Sequence, residues 1–288
     1  MQSKAKANSK NMEEYLQGHE FLRETIQLHL DLEEKVRATV KALRFPNGGA
    51  VAEQTANGLP LLQEEKLRNR VIDALVKNIP QVLDSLENLE APQPMVTGLK
   101  DFAAYVKRAE GEELKGFLAL LLQQEKEKFS AACAEAKLTE PLVRTLLWQM
   151  VSALVPKRLK EFAFWEEETK WQKNYCPVCG RQPVMAQLRK EQEGRSRYLS
   201  CGGCHTIWPY KRVGCAYCGN EDLKKMHILE PEGEEDMRLD VCDECHAYLK
   251  TYGREGREDV FLRDYATLHL DLLGEEKNLI KKGNAMLE

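Results

Sequence analysis

The 288-residue chain has no apolar run long enough for a bilayer: its longest clearly apolar stretch, Phe117 to Leu122, falls far below the roughly 20 residues of a spanning helix. Membrane insertion is not expected. Positive charge is not in excess either, since 42 Lys/Arg stand against 46 Asp/Glu for a formal net charge of −4, so the chain as a whole has no general affinity for polyanions. Its first ten residues, Met1 to Lys10, are polar and basic without an apolar core, and no export signal is read there. From residue 11 to 170 nothing alternates with period two for long, which argues against a half-buried sheet in that part. An even set of cysteines is also missing. Nine is an odd number and eight of them sit at ligand spacing, so a secreted disulfide framework reads poorly, and a reducing cytoplasm is the expected compartment.

Those eight cysteines form four C-x-x-C pairs: Cys176/Cys179, Cys201/Cys204, Cys215/Cys218 and Cys242/Cys245. Two residues between paired cysteines let a tight turn aim both sulfurs at one ion, and a second such turn completes a tetrahedron. The intervals between pairs are 21, 10 and 23 residues. Displacing the first half by 39 residues lays Cys176 on Cys215, and displacing it by 41 lays Cys201 on Cys242, the mark of a duplicated unit. Each unit is expected to close its own site: Cys176, Cys179, Cys201 and Cys204 in the first, Cys215, Cys218, Cys242 and Cys245 in the second. The crossed pairing, first with third and second with fourth, is the weaker alternative. Gly180 and Gly219 follow the first pair of each unit, where the backbone curls under the sulfurs and positive φ favours glycine. Spacing alone does not choose iron over zinc, because four thiolates suit both.

Ahead of the cysteines, apolar residues recur at helical steps: Leu22, Ile26, Leu32, Val36, Val40 and Leu43; Leu67, Val71, Leu75 and Ile79 up to Pro80; Leu114, Phe117, Leu118, Leu121 and Leu122; and Leu142, Leu146, Leu147, Met150 and Leu154 behind a Thr139 cap. Phe45 to Leu59, with Pro46, Gly48, Gly49 and Gly58, reads as a loop. Phe162, Phe164, Trp165 and Trp171 read as glue at a domain junction, and Cys133 as a buried inert thiol. Within the cysteine region a hairpin is expected over Gln187 to Tyr198 and a strand over His205 to Arg212; Asp259 to Leu273 reads as a closing helix. The expected partition is a flexible tail over 1–10, a helical domain over 11–170, a first metal module over 171–212, a second with its closing helix over 213–273, and a tail over 274–288, too polar to assign. The fold class is thus mainly α: an N-terminal helical domain, two tandem small zinc-ribbon-like metal modules and a C-terminal helix.

The run R-Y-L-S-C-G-G-C-H-T-I-W-P-Y-K-R-V-G-C-A-Y-C, preceded by C-P-V-C-G and followed by C-D-E-C-H-A-Y-L-K, resembles the formate dehydrogenase accessory protein FdhE family over about Cys176 to Lys250. Arg197, Leu199, Trp208 and Arg212 fall on positions of that pattern, and Asp264 to Asp271 is similar to the family's C-terminal helix. The resemblance implies a cytoplasmic maturation factor, not an enzyme, for a molybdenum- or tungsten-dependent respiratory formate dehydrogenase whose catalytic subunit it would bind. It also implies that the modules are rubredoxin-like and iron-binding, with a redox role toward the client.

Closed four-cysteine sites leave no open position for water or substrate, so structural stabilisation or one-electron transfer is expected, and no catalytic residue is named. His205 and His246 follow the last cysteine of their units and read as supporting or surface histidines. Trp208 reads as a cover over sulfur; Arg212 is left between a carboxylate and the client. A nucleic-acid-binding zinc ribbon is the second reading: residues 171–225 hold ten Lys/Arg against four Asp/Glu, yet 230–246 hold eight acids against one arginine, which repels phosphate. A thiol oxidoreductase is a third. Oligomeric state is not legible.

Overall fold

The computed structural model describes residues 11–167, 169–191, 194–234 and 236–283. The expected tail over 1–10 and the last residues, 284–288, lie outside the described residues. Helices α1 (residues 11–18), α2 (Arg23–Thr39), α3 (Gly48–Ala56), α4 (Glu65–Ser85), α5 (Gln93–Arg108), α6 (Gly111–Leu122), α7 (Lys126–Glu135), α8 (Glu140–Leu154) and α9 (Phe162–Glu167) precede the cysteine region. The apolar stripes face one core. Helix α8 is its axis: Val143, Leu146, Leu147, Trp148, Met150, Val151 and Leu154 are all buried. Among the described residues no helix is long and apolar enough to cross a membrane.

Three local expectations are corrected. The Phe45 to Leu59 loop contains α3, because Asn47 at its N-cap accepts a hydrogen bond from the Ala50 N–H at 3.0 Å and lowers the cost of starting a helix among glycines. Pro80 does not end α4, which runs on to Ser85: Ile79, Val82 and Leu83 are buried, and that packing outweighs one missing backbone hydrogen bond. The closing helix is broken into α10 (Glu258–Phe261), a 3-10 turn Asp264–Thr267 and α11 (Leu268–Glu276).

The fold class needs amending as well. The strands β1 (Pro183–Glu191), β2 (Gly194–Cys201), β3 (Ile207–Tyr210), β4 (Met226–Leu229), β5 (Met237–Cys242), β6 (Ala247–Tyr252) and β7 (Ile280–Lys281) build one seven-stranded mixed sheet in the order β3-β2-β1-β6-β5-β4, with β7 on β6. "Mainly α" therefore describes only the N-terminal part. Each cysteine unit is a three-stranded antiparallel meander, and a lone meander leaves two open edges. Joining β1 to β6 in parallel, Met185 opposite Lys250 and Gln187 opposite Tyr252, removes one edge from each.

Strand β6 is buried along its whole length because both faces are covered. Ala247 and Leu249 face the helical core, while Tyr248 and Tyr252 join a second core with Met237, Leu239 and Val241. The lid of that second core is the chain's own beginning, Met12, Tyr15, Leu16, Leu22 and Ile26, together with Tyr265 and Leu270. The stripe from Leu22 to Val40 thus serves two cores. Leu32, Val36 and Val40 pack among the helices. The polar stretch read as an unassignable tail is also anchored, since β7 pairs with β6 and the Tyr217 hydroxyl donates to the Lys282 carbonyl at 3.1 Å.

Candidate metal centre

Both cysteine units close as the spacing implies. Cys176, Cys179, Cys201 and Cys204 bring their sulfurs within 4.8 Å of one another, as do Cys215, Cys218, Cys242 and Cys245. Sulfur separations are 3.4 Å for Cys176–Cys204 and Cys179–Cys201, and 3.7 Å for Cys215–Cys245 and Cys218–Cys242. A disulfide needs about 2.0 Å. A tetrahedron with metal–sulfur bonds of about 2.3 Å has edges of about 3.8 Å, so the donor sets fit zinc or iron without rearrangement.

The turns explain the aim of the sulfurs. After each pair the chain enters the left-handed region: Gly180 (φ +81°) and Gly219 (φ +76°) after the first pairs, His205 (φ +59°) and His246 (φ +54°) after the second. The two histidines thus stand where their counterparts are glycine, a strained position for an L side chain. Amide N–H groups inside the turns point at sulfur, Gly203 at Cys201 Sγ and Tyr217 at Cys215 Sγ, both at 3.3 Å. The Thr206 hydroxyl lies 3.1 Å from Cys204 Sγ, and Asn220 Nδ2 lies 3.7 Å from Cys242 Sγ.

The two clusters differ in their surroundings. All four sulfurs of the first belong to buried residues, whereas in the second Cys218 is exposed and Cys245 partly so. The first cluster is clamped by the helical part: the Leu61 and Leu62 amides donate to the Pro177 and Val178 carbonyls at 2.9 Å, and Gln124 Nε2 donates to the Cys179 carbonyl at 2.9 Å. Across the second turn, the space beside Gly203 is filled by Arg181 and Trp148, and the Arg181 guanidinium lies 4.8 Å from the Trp148 ring centroid. These clamps were invisible in the sequence, because nothing about Gln124 or Leu61 marks a neighbour 55 or 116 positions downstream, respectively. Thr206 and Asn220, two residues after a cysteine, were within reach of sequence reasoning.

Burial sets the electrostatics of the first cluster. It pushes the Cys176 and Cys179 thiols well above their ordinary value, and for Cys204 the hydrogen bonds of the other three cysteines and Thr206 outweigh it and hold the thiol low. Four buried sulfurs therefore do not ionise together without a cation between them. Behind Cys204, the His205 Nδ1 lies 3.2 Å from Ser152 Oγ, which accepts from Lys160 Nζ at 2.8 Å, and 3.3 Å from an Arg263 nitrogen. Burial, then Arg263, pushes His205 down to about 3, and burial pushes Lys160 down to about 8. His205 is thus a neutral packing group, while His246 is exposed.

The remaining candidates fall into place. Trp208 is fully buried and donates to the Lys173 carbonyl at 2.9 Å; Arg212 donates to the Arg195 carbonyl at 2.9 Å. Arg197 is buried and donates to the Gly214 carbonyl at 2.9 Å, tying the two units together. Trp165 and Trp171 are buried at the junction, and Phe162 packs on Tyr198. Cys133 is buried, with its thiol pushed up to about 12 by that burial.

The asymmetry in exposure carries a prediction. With both clusters loaded, a competing chelator is expected to withdraw the ion beside Cys218 first and the buried ion only on unfolding, giving two well-separated phases in a zinc-release assay. A single phase releasing both ions together would contradict it.

Comparison with known proteins agrees with this geometry. Residues 175–212 match the family model "FdhE, central domain", and residues 213–287 match "FdhE, C-terminal domain". The FdhE homologue of Shewanella oneidensis is 30% identical over 175 residues, 56% of each chain. That of Aquifex aeolicus is 31% identical over 118 residues, 40% of this chain and 42% of the relative. The FdhE protein of an Escherichia coli strain is 31% identical over 136 residues, 46% of this chain and 41% of the relative. The matched stretch thus spans about half or less of these curated relatives. The crystal structure of the FdhE protein from Pseudomonas aeruginosa has the same fold, with a TM-score of 0.62 and 18% identity over 98% of this chain and 94% of that one. With its paired C-x-x-C units matched by both domain models, residues 175–287 carry the central and C-terminal domains of the FdhE family.

Proposed function

We propose that this protein is a cytoplasmic accessory factor needed for an active respiratory formate dehydrogenase, not an enzyme in its own right, and that it binds the client's catalytic subunit. The observation that carries the reading is the match of residues 175–287 to both FdhE domains, with all eight paired cysteines inside it. In this reading Cys176, Cys179, Cys201 and Cys204 hold one iron or zinc ion and Cys215, Cys218, Cys242 and Cys245 a second. Residues 11–170 act as the helical adaptor, with modules over 171–212 and 213–273.

The two ions are given different tasks by their surroundings. The buried first ion holds the junction of sheet and helices together, a task suited to a closed four-sulfur site. The second, with Cys218 at the surface, is the one a client approaches, and any electron exchange with the client passes there. Co-expression with a respiratory formate dehydrogenase, in a host deprived of its own FdhE-type factor, tests the reading. Formate-dependent dye reduction and co-purification of the catalytic subunit are both expected to depend on this chain. Full dye reduction in its absence, or with both ions removed by cysteine replacement, overturns it.

A further inference from the structure

Away from the cysteines, His19, Glu234 and His269 meet from three distant parts of the chain: the turn before α2, the β4–β5 connection and the first turn of α11. One ligand atom from each lies within 4.8 Å of the others. His19 Nε2 is 2.5 Å and His269 Nε2 3.0 Å from the same carboxylate oxygen, Glu234 Oε1. The side chains are 19%, 11% and 16% exposed for His19, Glu234 and His269, so the cluster is walled by protein but open on one side.

The hydrogen-bond roles restrict what occupies it. His19 Nδ1 lies 3.0 Å from the Tyr15 carbonyl oxygen, which only accepts, so Nδ1 carries the proton and the neutral ring turns the lone pair of Nε2 toward Glu234. Two lone pairs at 2.5 Å repel, so a positive centre belongs there. It is either a proton shared between the ring and the carboxylate or a metal ion. Protons on both rings would set two cations 4.8 Å apart on one carboxylate. One divalent ion serves both Nε2 atoms and the carboxylate together, once the 2.5 and 3.0 Å separations open to the roughly 3.3 Å that tetrahedral bonds of about 2.0–2.1 Å require. The His19 arrangement, with Nδ1–H held by a backbone carbonyl and Nε2 free, is the one that metal-binding histidines adopt. Tyr15 stacks on the His19 ring at 4.1 Å and Phe21 meets His269 edge-on at 6.2 Å, fixing both rings.

We propose that His19, Glu234 and His269 form a third metal site, a two-histidine, one-carboxylate site for a divalent transition ion, zinc in the first instance, with its fourth position open to solvent. Its donors are harder than those of the cysteine clusters. The site clasps the start of the chain and α11 onto the second module.

The full-length protein, with both cysteine clusters loaded with Zn2+ under anaerobic conditions, is titrated with Co2+. The expected result is one further Co2+ per chain with weak d–d absorption and no sulfur-to-cobalt charge-transfer band. The variant carrying His19→Gln and His269→Gln keeps two Zn2+, which reports that it is folded, and binds no Co2+. Glu234→Gln, nearly isosteric, supplies the same comparison should the double variant not retain its zinc. A wild-type chain that takes up no Co2+, a Co2+ spectrum with thiolate charge transfer, or equal uptake by the folded variants would show a cluster held by protons and overturn the proposal.

Discussion

Replacing Cys176 and Cys179 together by serine is expected to remove one metal ion per chain and to unfold the junction between the helices and the sheet, while the second cluster stays filled. The expected size follows from location. Cys176, Cys179, Cys201 and Cys204 belong to the same continuous core as Trp148, Trp165 and Trp208. Binding of a structural ion at such a site contributes apparent values of about 10–16 kcal/mol to folding in small ribbons. Whole domains are stable by only about 5–15 kcal/mol. Losing the first ion therefore exceeds what the surrounding packing holds in reserve, and the clamps from Leu61, Leu62 and Gln124 lose their target. The matched change at Cys218 and Cys245 is expected to empty the second cluster and leave the helical core intact, because those sulfurs lie toward solvent. Metal content by mass spectrometry, near-ultraviolet dichroism and limited proteolysis separate the two. A C176S/C179S protein that keeps the full wild-type metal content and a wild-type tryptophan signal would refute the assignment.

Replacing Lys250 by methionine is the second change with a large expected effect. Lys250 is 1% exposed in the middle of β6, and its Nζ lies 2.6 Å from Asp264 and 3.0 Å from Asp271. Lys281 on β7 reaches the same two carboxylates at 3.1 and 2.7 Å. Two lysines thus balance two aspartates under the 3-10 turn and α11. Removing one cation leaves a buried negative charge uncompensated, which costs about 3–5 kcal/mol. Lys250→Met is expected to lower the urea midpoint of the metal-loaded protein accordingly, and Asp271→Asn added to it is expected to restore part of the loss. A cost below about 1 kcal/mol would mean that the network is spectator to the packing.

The same network sets a pH dependence. Burial raises Asp264, but Lys250 and Lys281 outweigh it and hold the carboxyl below its usual range. Its stabilisation is complete above the unfolded value of about 3.9 and is lost as pH falls through the lower folded value. Lys281 is held above its usual range because Asp264 and Asp271 outweigh the burial that opposes its charge. Its contribution is complete below about pH 10.4 and is lost as pH rises through the folded value. The wild type is therefore expected to keep this contribution across the whole neutral range, and Lys250→Met to lose it there.

Legibility in the sequence followed the range of the cause. The four pairs, their grouping into two units, the glycines at positive φ and the stripes of the helices were readable because each depends on residues a few positions apart or on a repeated interval. The loop that is α3 and the helix that runs through Pro80 were misread for the opposite reason: a side-chain cap and burial against distant helices outweighed local propensity.

What the sequence determined by itself is therefore the donor set: eight thiols in turns too tight to point elsewhere. Only the tertiary structure decided that the two modules share a sheet, that one cluster is sealed in the core and the other faces water, and that His19 and His269 lie side by side. The physical reason is that strand edges, buried charges and exposure are settled between residues far apart in the chain, 65 positions for Met185 and Lys250 and 250 for His19 and His269, where the local order carries no record of what will face what.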